Sequence, residues 1–332
     1  MEIPEEIFKK LKKLKAKRVF VQFPEGLKLK IQDIAKELER RGFQVFLCLE
    51  KCFGACDVRE KEADFLNCDA ILHIGHEKFL PKTKIPVVYW EYFLDADPTP
   101  ILEKEFEKLK GFNNIGLITS IQFVKILPKV KKYLEKRGKK VFLHKALQYP
   151  GQVLGCNLKA AKIIEKKVDC FLAVSAGEFY GFSLTLETPK PVLNLDLERN
   201  EIYSLESLKT KVLKILAWNK SEFKSAKHVG ILVSWKGGQY KSYVFDVKAK
   251  LEKLGKDVYV LAMDEITPEK IEGLHLDFLI NMACPRIALD DLERYSIPIV
   301  NIDQILEDLK LNSLKEKDLN ISNSNKKCYL LD

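Results

Sequence analysis

Apolar residues in this chain fall into short, nearly unbroken runs such as RVFVQF at 18–23, AILHIG at 70–75 and VGILVS at 229–234. Continuous runs of that length predict strands buried on both faces of a parallel sheet. After the first run the spacing changes. Leu27, Ile31, Ile34, Ala35 and Leu38 recur on one face at helical period, which predicts an amphipathic helix packed on the sheet. That helix should end at Arg-Arg-Gly, where Gly42 suits a left-handed cap.

The same order of runs occurs three times. AKRVFVQFPEGL, ERRGFQVFLC, NCDAILHIGH and KIPVVYWEY make the first copy. FNNIGLITSIQF, EKRGKKVFLH, KVDCFLAVSAGEF and PKPVLNLDLERN make the second. AKHVGILVSWKGGQY, EKLGKDVYVLA, HLDFLINMACPR and SIPIVNIDQ make the third. Gly42, Gly138 and Gly255 fall at equivalent places, as do Asp69, Asp169 and Asp277, and Pro86, Pro191 and Pro298. Each copy reads as β-α-β followed by two further strands. The prediction is an α/β chain of three pseudo-symmetric domains, 1–107, 108–221 and 222–332, each a parallel four-stranded sheet flanked by helices. Pro128 should start or bend the helix of the second copy. LESLKTKVLKILAWNKSEFKSAK, 205–227, should be a connecting helix into the third. The last segment, from Asn312, is polar and reads as a mobile tail in which Cys328 has no assigned role.

Composition narrows the setting. A chain of 332 residues exceeds one typical core, in keeping with several domains. No apolar run approaches the ~20 residues of a membrane helix. The charged start MEIPEEIFKKLKKLKAKRVF lacks a signal-peptide core, so a cytoplasmic location is expected. There, the eight cysteines read as core residues, metal ligands or redox groups rather than disulfides. The net charge of +9 reads as a solvated basic surface or as the face offered to an acidic partner. No zinc-finger, RNA-motif or phosphate-loop spacing points to nucleic acid.

Ligands of open parallel sheets sit beyond the carboxyl ends of the strands. One cysteine per copy meets that rule: Cys56 in CFGACD, Cys156 in GQVLGCN and Cys284 in NMACPR, each beside a glycine or proline. Cys48 and Cys170 lie within strands and Cys68 just before one, so all three read as buried core thiols. Three thiolates brought to one place suit an iron-sulfur cluster with one open iron, or zinc with an open fourth position. Cys52, four residues before Cys56, is a competing ligand.

At these residues the chain resembles the archaeal diphthamide-synthesis family, whose first-step enzyme is a 3-amino-3-carboxypropyl transferase. FGAC at 53–56, GQVLGC at 151–156 and ACPRIALDD at 283–291 carry the resemblance. QFPEGL, HIGH at 73–76, GEFYG and KGGQ at 236–239 match further segments. The resemblance implies three similar α/β domains, a homodimer, and a [4Fe-4S] cluster held by Cys56, Cys156 and Cys284. It implies S-adenosylmethionine at the fourth iron, a one-electron donor, and transfer to C2 of one histidine of translation elongation factor 2. The radical-SAM spacing CxxxCxxC is not met, because Arg59 stands where its third cysteine would be.

Other residues are candidates for substrate contacts. Arg286 suits a bidentate carboxylate contact or an ordinary salt bridge. Gly237, Gly238 and Gln239 allow close backbone approach to S-adenosylmethionine, or form a simple tight turn. His73 and His76 flank Gly75 at a strand end and are candidates for proton transfer or substrate orientation, or for packing. Glu25 and Glu178 are candidate substrate-side carboxylates. Asp290 and Asp291 equally suit a helix cap. No catalytic residue is singled out. Two rival readings are a quinolinate synthase-like [4Fe-4S] enzyme and a non-catalytic metal-binding scaffold.

Overall fold

The computed structural model describes residues 2–80 and 82–311. The tail with Cys328 lies outside the described residues. Three sheets follow one another along the chain. The first holds β1 (Arg18–Gln22), β2 (Gln44–Leu47), β3 (Ala70–Ile74) and β4 (Val87–Trp90), in the order β2-β1-β3-β4, all parallel. The second holds β5 (Asn114–Thr119), β6 (Lys140–Phe142), β7 (Cys170–Ser175), β8 (Val192–Asp196) and β9 (Glu201–Ser204), in the order β6-β5-β7-β8-β9. The third holds β10 (His228–Ser234), β11 (Asp257–Met263), β12 (Phe278–Asn281) and β13 (Ile299–Asn301), in the order β11-β10-β12-β13, again all parallel. The threefold repetition therefore holds at the level of strand order.

One strand was not foreseen. β9 returns antiparallel to β8 and gives the middle sheet a fifth strand, so that sheet is not purely parallel. The division into compact units also differs from one unit per copy. The first two sheets belong to one unit, residues 2–78 with 82–210, and the third belongs to another, residues 79–80 with 211–311.

The equivalent residues do equivalent work. Asp69 accepts the backbone N–H groups of Lys17 and Arg18 at 2.7 and 2.8 Å. Asp169 accepts those of Asn113 and Asn114 at 3.0 and 2.7 Å. Asp277 accepts those of Lys227 and His228 at 3.0 and 2.8 Å. Each carboxylate thus staples the start of a sheet's first strand to the start of its third. These N–H bonds are the main cause that holds all three carboxyls below their ordinary pKa. Gly42, Gly138 and Gly255 all have positive φ, 91°, 78° and 79°, and close the helix before each second strand.

Each sheet is covered by helices. The helix Ile31–Arg40 buries Ile31, Ile34, Ala35 and Leu38 against β1 and β3, as its period requires. At about 1.5–3 kcal/mol per buried large aliphatic side chain, that face outweighs any intrinsic helix preference. Pro128 lies in the first turn of the helix Leu127–Lys136, where its missing N–H costs nothing. The connecting helix runs Glu206–Glu222. A helix at Glu5–Lys13, not anticipated, buries Ile7, Phe8 and Leu11 in the first core. Among the described residues no helix is long and apolar enough to cross a membrane.

Candidate functional site

The carboxyl ends of the three sheets carry polar residues that are fully or nearly buried. Gln22 and His73 are level with each other on β1 and β3, and both have no exposed surface. Thr119, Ser175 and Asp196 close the strands of the middle sheet, and Ser234, Asn281 and Asn301 those of the third. Buried polar groups need hydrogen-bond partners. Here the loops that follow supply many of them, and those loops carry the motif cysteines.

In the first repeat Gln22 donates from Nε2 to the Asp57 carbonyl and accepts the Arg59 N–H at 3.2 Å. One buried amide thus clamps the loop that holds Cys56. Arg59 lies 3.6 Å from Asp57, and both are nearly buried. In the second repeat the backbone of Thr119 does the corresponding work. Its N–H donates to the Gly151 carbonyl and its carbonyl accepts the Val153 N–H, each at 2.9 Å. Leu154 and Asn157 then exchange backbone bonds around Gly155 and Cys156. In the third repeat Asn281 donates to the Cys284 carbonyl at 2.8 Å and to Asn301 Oδ1 at 2.7 Å, and accepts the Ala283 N–H at 3.1 Å. Asn301 in turn donates to the Pro285 carbonyl at 2.9 Å.

The described cysteines divide by exposure. Cys48, Cys52, Cys68 and Cys170 are buried; Cys56 and Cys284 are partly exposed, and Cys156 is exposed. Burial pushes the Cys52 and Cys170 thiols up to about 12 and those of Cys48 and Cys68 upward. Cys56 and Cys156 lie beyond β2 and β6, and Cys284 three residues beyond β12.

The histidines of HIGH come together. Gly75, at φ +91°, turns the chain back at the end of β3, and Gln122 Nε2 holds its carbonyl at 2.9 Å. A Cβ there would lie 3.0 Å from Pro24 Cγ of the QFPEGL segment. The turn returns His76 Nδ1 to 3.0 Å from His73 Nε2, with Cys52 Sγ 3.9 Å from the same nitrogen. Burial depresses the two imidazoles to about 3 and about 4, so both are neutral at pH 7. Sequence reasoning weighed Cys52, His73 and His76 separately and missed that they converge. The available signal was two histidines around a strand-end glycine next to an extra cysteine.

The remaining candidates have definite surroundings. Arg286 is nearly buried and grips Asp290, its Nε donating to Oδ2 at 2.7 Å and Nη2 engaging Oδ1. Burial leads in raising the Asp290 carboxyl above its ordinary range, with Arg286 opposing it. Asp290 is thus an ion-pair partner rather than a helix cap, and Asp291, 3.2 Å from Arg294, makes no side-chain cap. After Ser234 the Gln239 N–H donates to the Lys236 carbonyl at 3.0 Å, which makes Lys236–Gln239, with Gly237 and Gly238 inside it, a tight turn. Glu25 pairs with Lys28 at 3.3 Å and Glu178 with Arg199 at 3.2 Å.

Comparison with known proteins matches this arrangement along nearly its whole length. The family described as "Putative diphthamide synthesis protein" matches residues 23–314. The 2-(3-amino-3-carboxypropyl)histidine synthase of Pyrococcus horikoshii is 30% identical over 311 residues, covering 92% of this chain and 89% of the relative. That of Methanocaldococcus jannaschii is 30% identical over 324 residues, covering 90% and 86%. The crystal structure of Dph2 from Pyrococcus horikoshii with a 4Fe-4S cluster superposes with a TM-score of 0.83 at 29% identity, covering 94% of this chain and 91% of that one. Sequence and fold agree across all three repeats, and the chain belongs to the diphthamide synthesis family.

Proposed function

We propose that the protein is a 2-(3-amino-3-carboxypropyl)histidine synthase, a transferase that moves the 3-amino-3-carboxypropyl group of S-adenosylmethionine to C2 of a histidine of translation elongation factor 2. The observation that carries the site assignment is the split among cysteines. The one motif cysteine of each repeat stays at least partly exposed on a loop clamped to a sheet's carboxyl end, while every other described cysteine is buried. Cys56, Cys156 and Cys284 are the three thiolates of a [4Fe-4S] cluster. Cys52 is the poorer ligand for a bulky cluster, because its sulfur is buried and directed at His73. A cluster held by Cys56, Cys156 and Cys284 would supply the one-electron chemistry for cleavage of the sulfonium bond to the γ-carbon, with methylthioadenosine as the leaving group.

The protein's own groups do the positioning. The clamps from Gln22, Thr119 and Asn281 fix the three loops before any ligand arrives. Gly237, Gly238 and Gln239 offer a backbone turn to S-adenosylmethionine, and the Arg286 guanidinium, held in place by Asp290, faces its carboxylate. The protein acts as a homodimer in the cytoplasm and takes its electron from a one-electron donor. Its excess of basic residues draws an acidic protein substrate. Each repeat is read as one domain that supplies one of these cysteines. Neither the quinolinate synthase-like reading nor that of a non-catalytic scaffold is favoured by the family match.

The test is anaerobic incubation with dithionite, S-adenosylmethionine and archaeal elongation factor 2, followed by mass spectrometry. Methylthioadenosine should accumulate and the factor should gain one aminocarboxypropyl group on a single histidine. Formation of 5′-deoxyadenosine with an unmodified factor would overturn the reading.

A further inference from the structure

We propose that Cys52, His73 and His76 form a mononuclear site for a divalent ion, zinc by preference, separate from the three motif cysteines. One donor atom from each residue lies within 4.8 Å of the others. Zinc at ~2.3 Å from sulfur and ~2.0–2.1 Å from nitrogen holds tetrahedral ligands roughly 3.3–3.6 Å apart. The two separations that meet at His73 Nε2, 3.0 Å to His76 Nδ1 and 3.9 Å to Cys52 Sγ, bracket that range. The third separation, between Cys52 and His76, is no more than 4.8 Å, so closing on an ion requires shifts of up to about 1 Å, within side-chain freedom.

Hydrogen bonding alone does not account for the cluster. Cys52 has only two long contacts at 3.9 Å, to His73 Nε2 and to the Gly54 carbonyl. The facing imidazole nitrogens share a single short contact. Three donors that meet in a buried place with one good bond among them suit an ion better than a network.

The frame around them is stiff. His73 is fixed in register on β3 beside Gln22. His76 is returned by Gly75, whose carbonyl Gln122 holds. The loop from Cys52 to Arg59 is clamped by Gln22 at Asp57 and Arg59. The donor set has one thiolate, two imidazoles and no carboxylate, which selects borderline ions such as zinc over magnesium or calcium. Three protein ligands leave a fourth position for water or an outside donor, the pattern of reactive rather than purely structural zinc.

The experiment uses the full chain with its cluster reconstituted, incubated with zinc chloride alone, desalted and measured for zinc and iron by plasma mass spectrometry. Wild type should retain about one zinc per chain beside its iron, held by its three protein donors. Cys52→Ser and His76→Gln should each weaken zinc retention at least about tenfold and leave iron and the absorbance near ~400 nm unchanged. Cys52→Ala serves as a second variant if Gln at 76 disturbs folding, which circular dichroism reads. Three results overturn the proposal: no zinc retained by wild type, zinc retained equally by these variants, or iron lost with Cys52. Zinc that is lost only with Cys56→Ala does so too, because it would then occupy the motif-cysteine site. None of these readouts requires transferase activity, so failure here and failure of the proposed function are distinguishable.

Discussion

Asn281→Ala removes the clamp under Cys284, and its cost follows from what is orphaned. The Asn281 side chain is 1% exposed and makes three hydrogen bonds. Alanine leaves the buried Ala283 N–H without that partner, whereas Asn301 Oδ1 keeps the Gln304 N–H of its capping box. The Cys284 carbonyl also loses it, but still accepts the Ile287 N–H at 3.1 Å. At about 1–3 kcal/mol for one fully buried orphan, the loss is about 1–3 kcal/mol. Exchange of the β12 and β13 amides should therefore speed up roughly 5- to 140-fold, at about 1.4 kcal/mol per factor of ten. Iron retained after anaerobic reconstitution should fall with it. Asn281→Asp gives the sign check. An anion facing the Cys284 and Asn301 oxygens has its pKa raised in the folded state, so the folded protein binds the extra proton. The variant should be worse than alanine at pH 7 and recover as pH falls through that raised pKa. Protection of β12 within threefold of wild type in Asn281→Ala would refute the argument that the clamp sets the loop.

Three further outcomes are specific. Alanine at Cys56, Cys156 or Cys284 should each abolish most absorbance near ~400 nm, whereas Cys170→Ala and Cys48→Ala should keep it, as spectra after reconstitution will read. Gly75→Ala should destabilise the first unit by about 2–3 kcal/mol, from left-handed backbone plus a Cβ 3.0 Å from Pro24 Cγ, measured by urea unfolding. Asp69, Asp169 and Asp277 all have depressed carboxyl pKa values, so their contribution is present above the unfolded carboxylate range near ~4 and is lost as pH falls below it. Asp69→Asn should flatten that acid limb of the stability profile, and an unchanged limb would count against the staple.

The sequence disclosed what repeats and what is apolar. Gly42, Gly138 and Gly255, and the three staple aspartates, were legible because one physical need recurs at three equivalent points. The buried strands were legible because unbroken apolar runs have few other uses. β9 was not, since EIYS is short, half polar and joins the sheet edge by antiparallel pairing with β8, which no local pattern announces. The helix at Glu5–Lys13 was hidden among lysines whose charges mask its Ile7–Phe8–Leu11 face. At the site, the three loop cysteines stood out by position. The polar floor beneath them did not, because Gln22, Asn281 and Asn301 are single polar letters in apolar runs and their meaning depends on loops distant in sequence. Convergence of Cys52 with the HIGH histidines needed the positive φ of Gly75, which no periodicity displays.

The aspartate staples also bear on how the chain acquires its shape during synthesis. Asp69 lies 51–52 residues after its partners, Asp169 55–56 after, and Asp277 49–50 after. Each closure is therefore local on the scale of the whole polypeptide, and its loop-entropy cost is nearly the same three times over. A nascent chain leaving the ribosome can lock one sheet as soon as its third strand emerges, before the next sheet exists to compete for pairing. Mispairing between look-alike strands of different repeats, the hazard of any internally repeated α/β protein, is thus countered by order of appearance. Refolding from the full-length denatured state lacks that order. It should be slower and more prone to aggregation than synthesis, which comparing soluble yield from translation with that from dilution out of urea would measure.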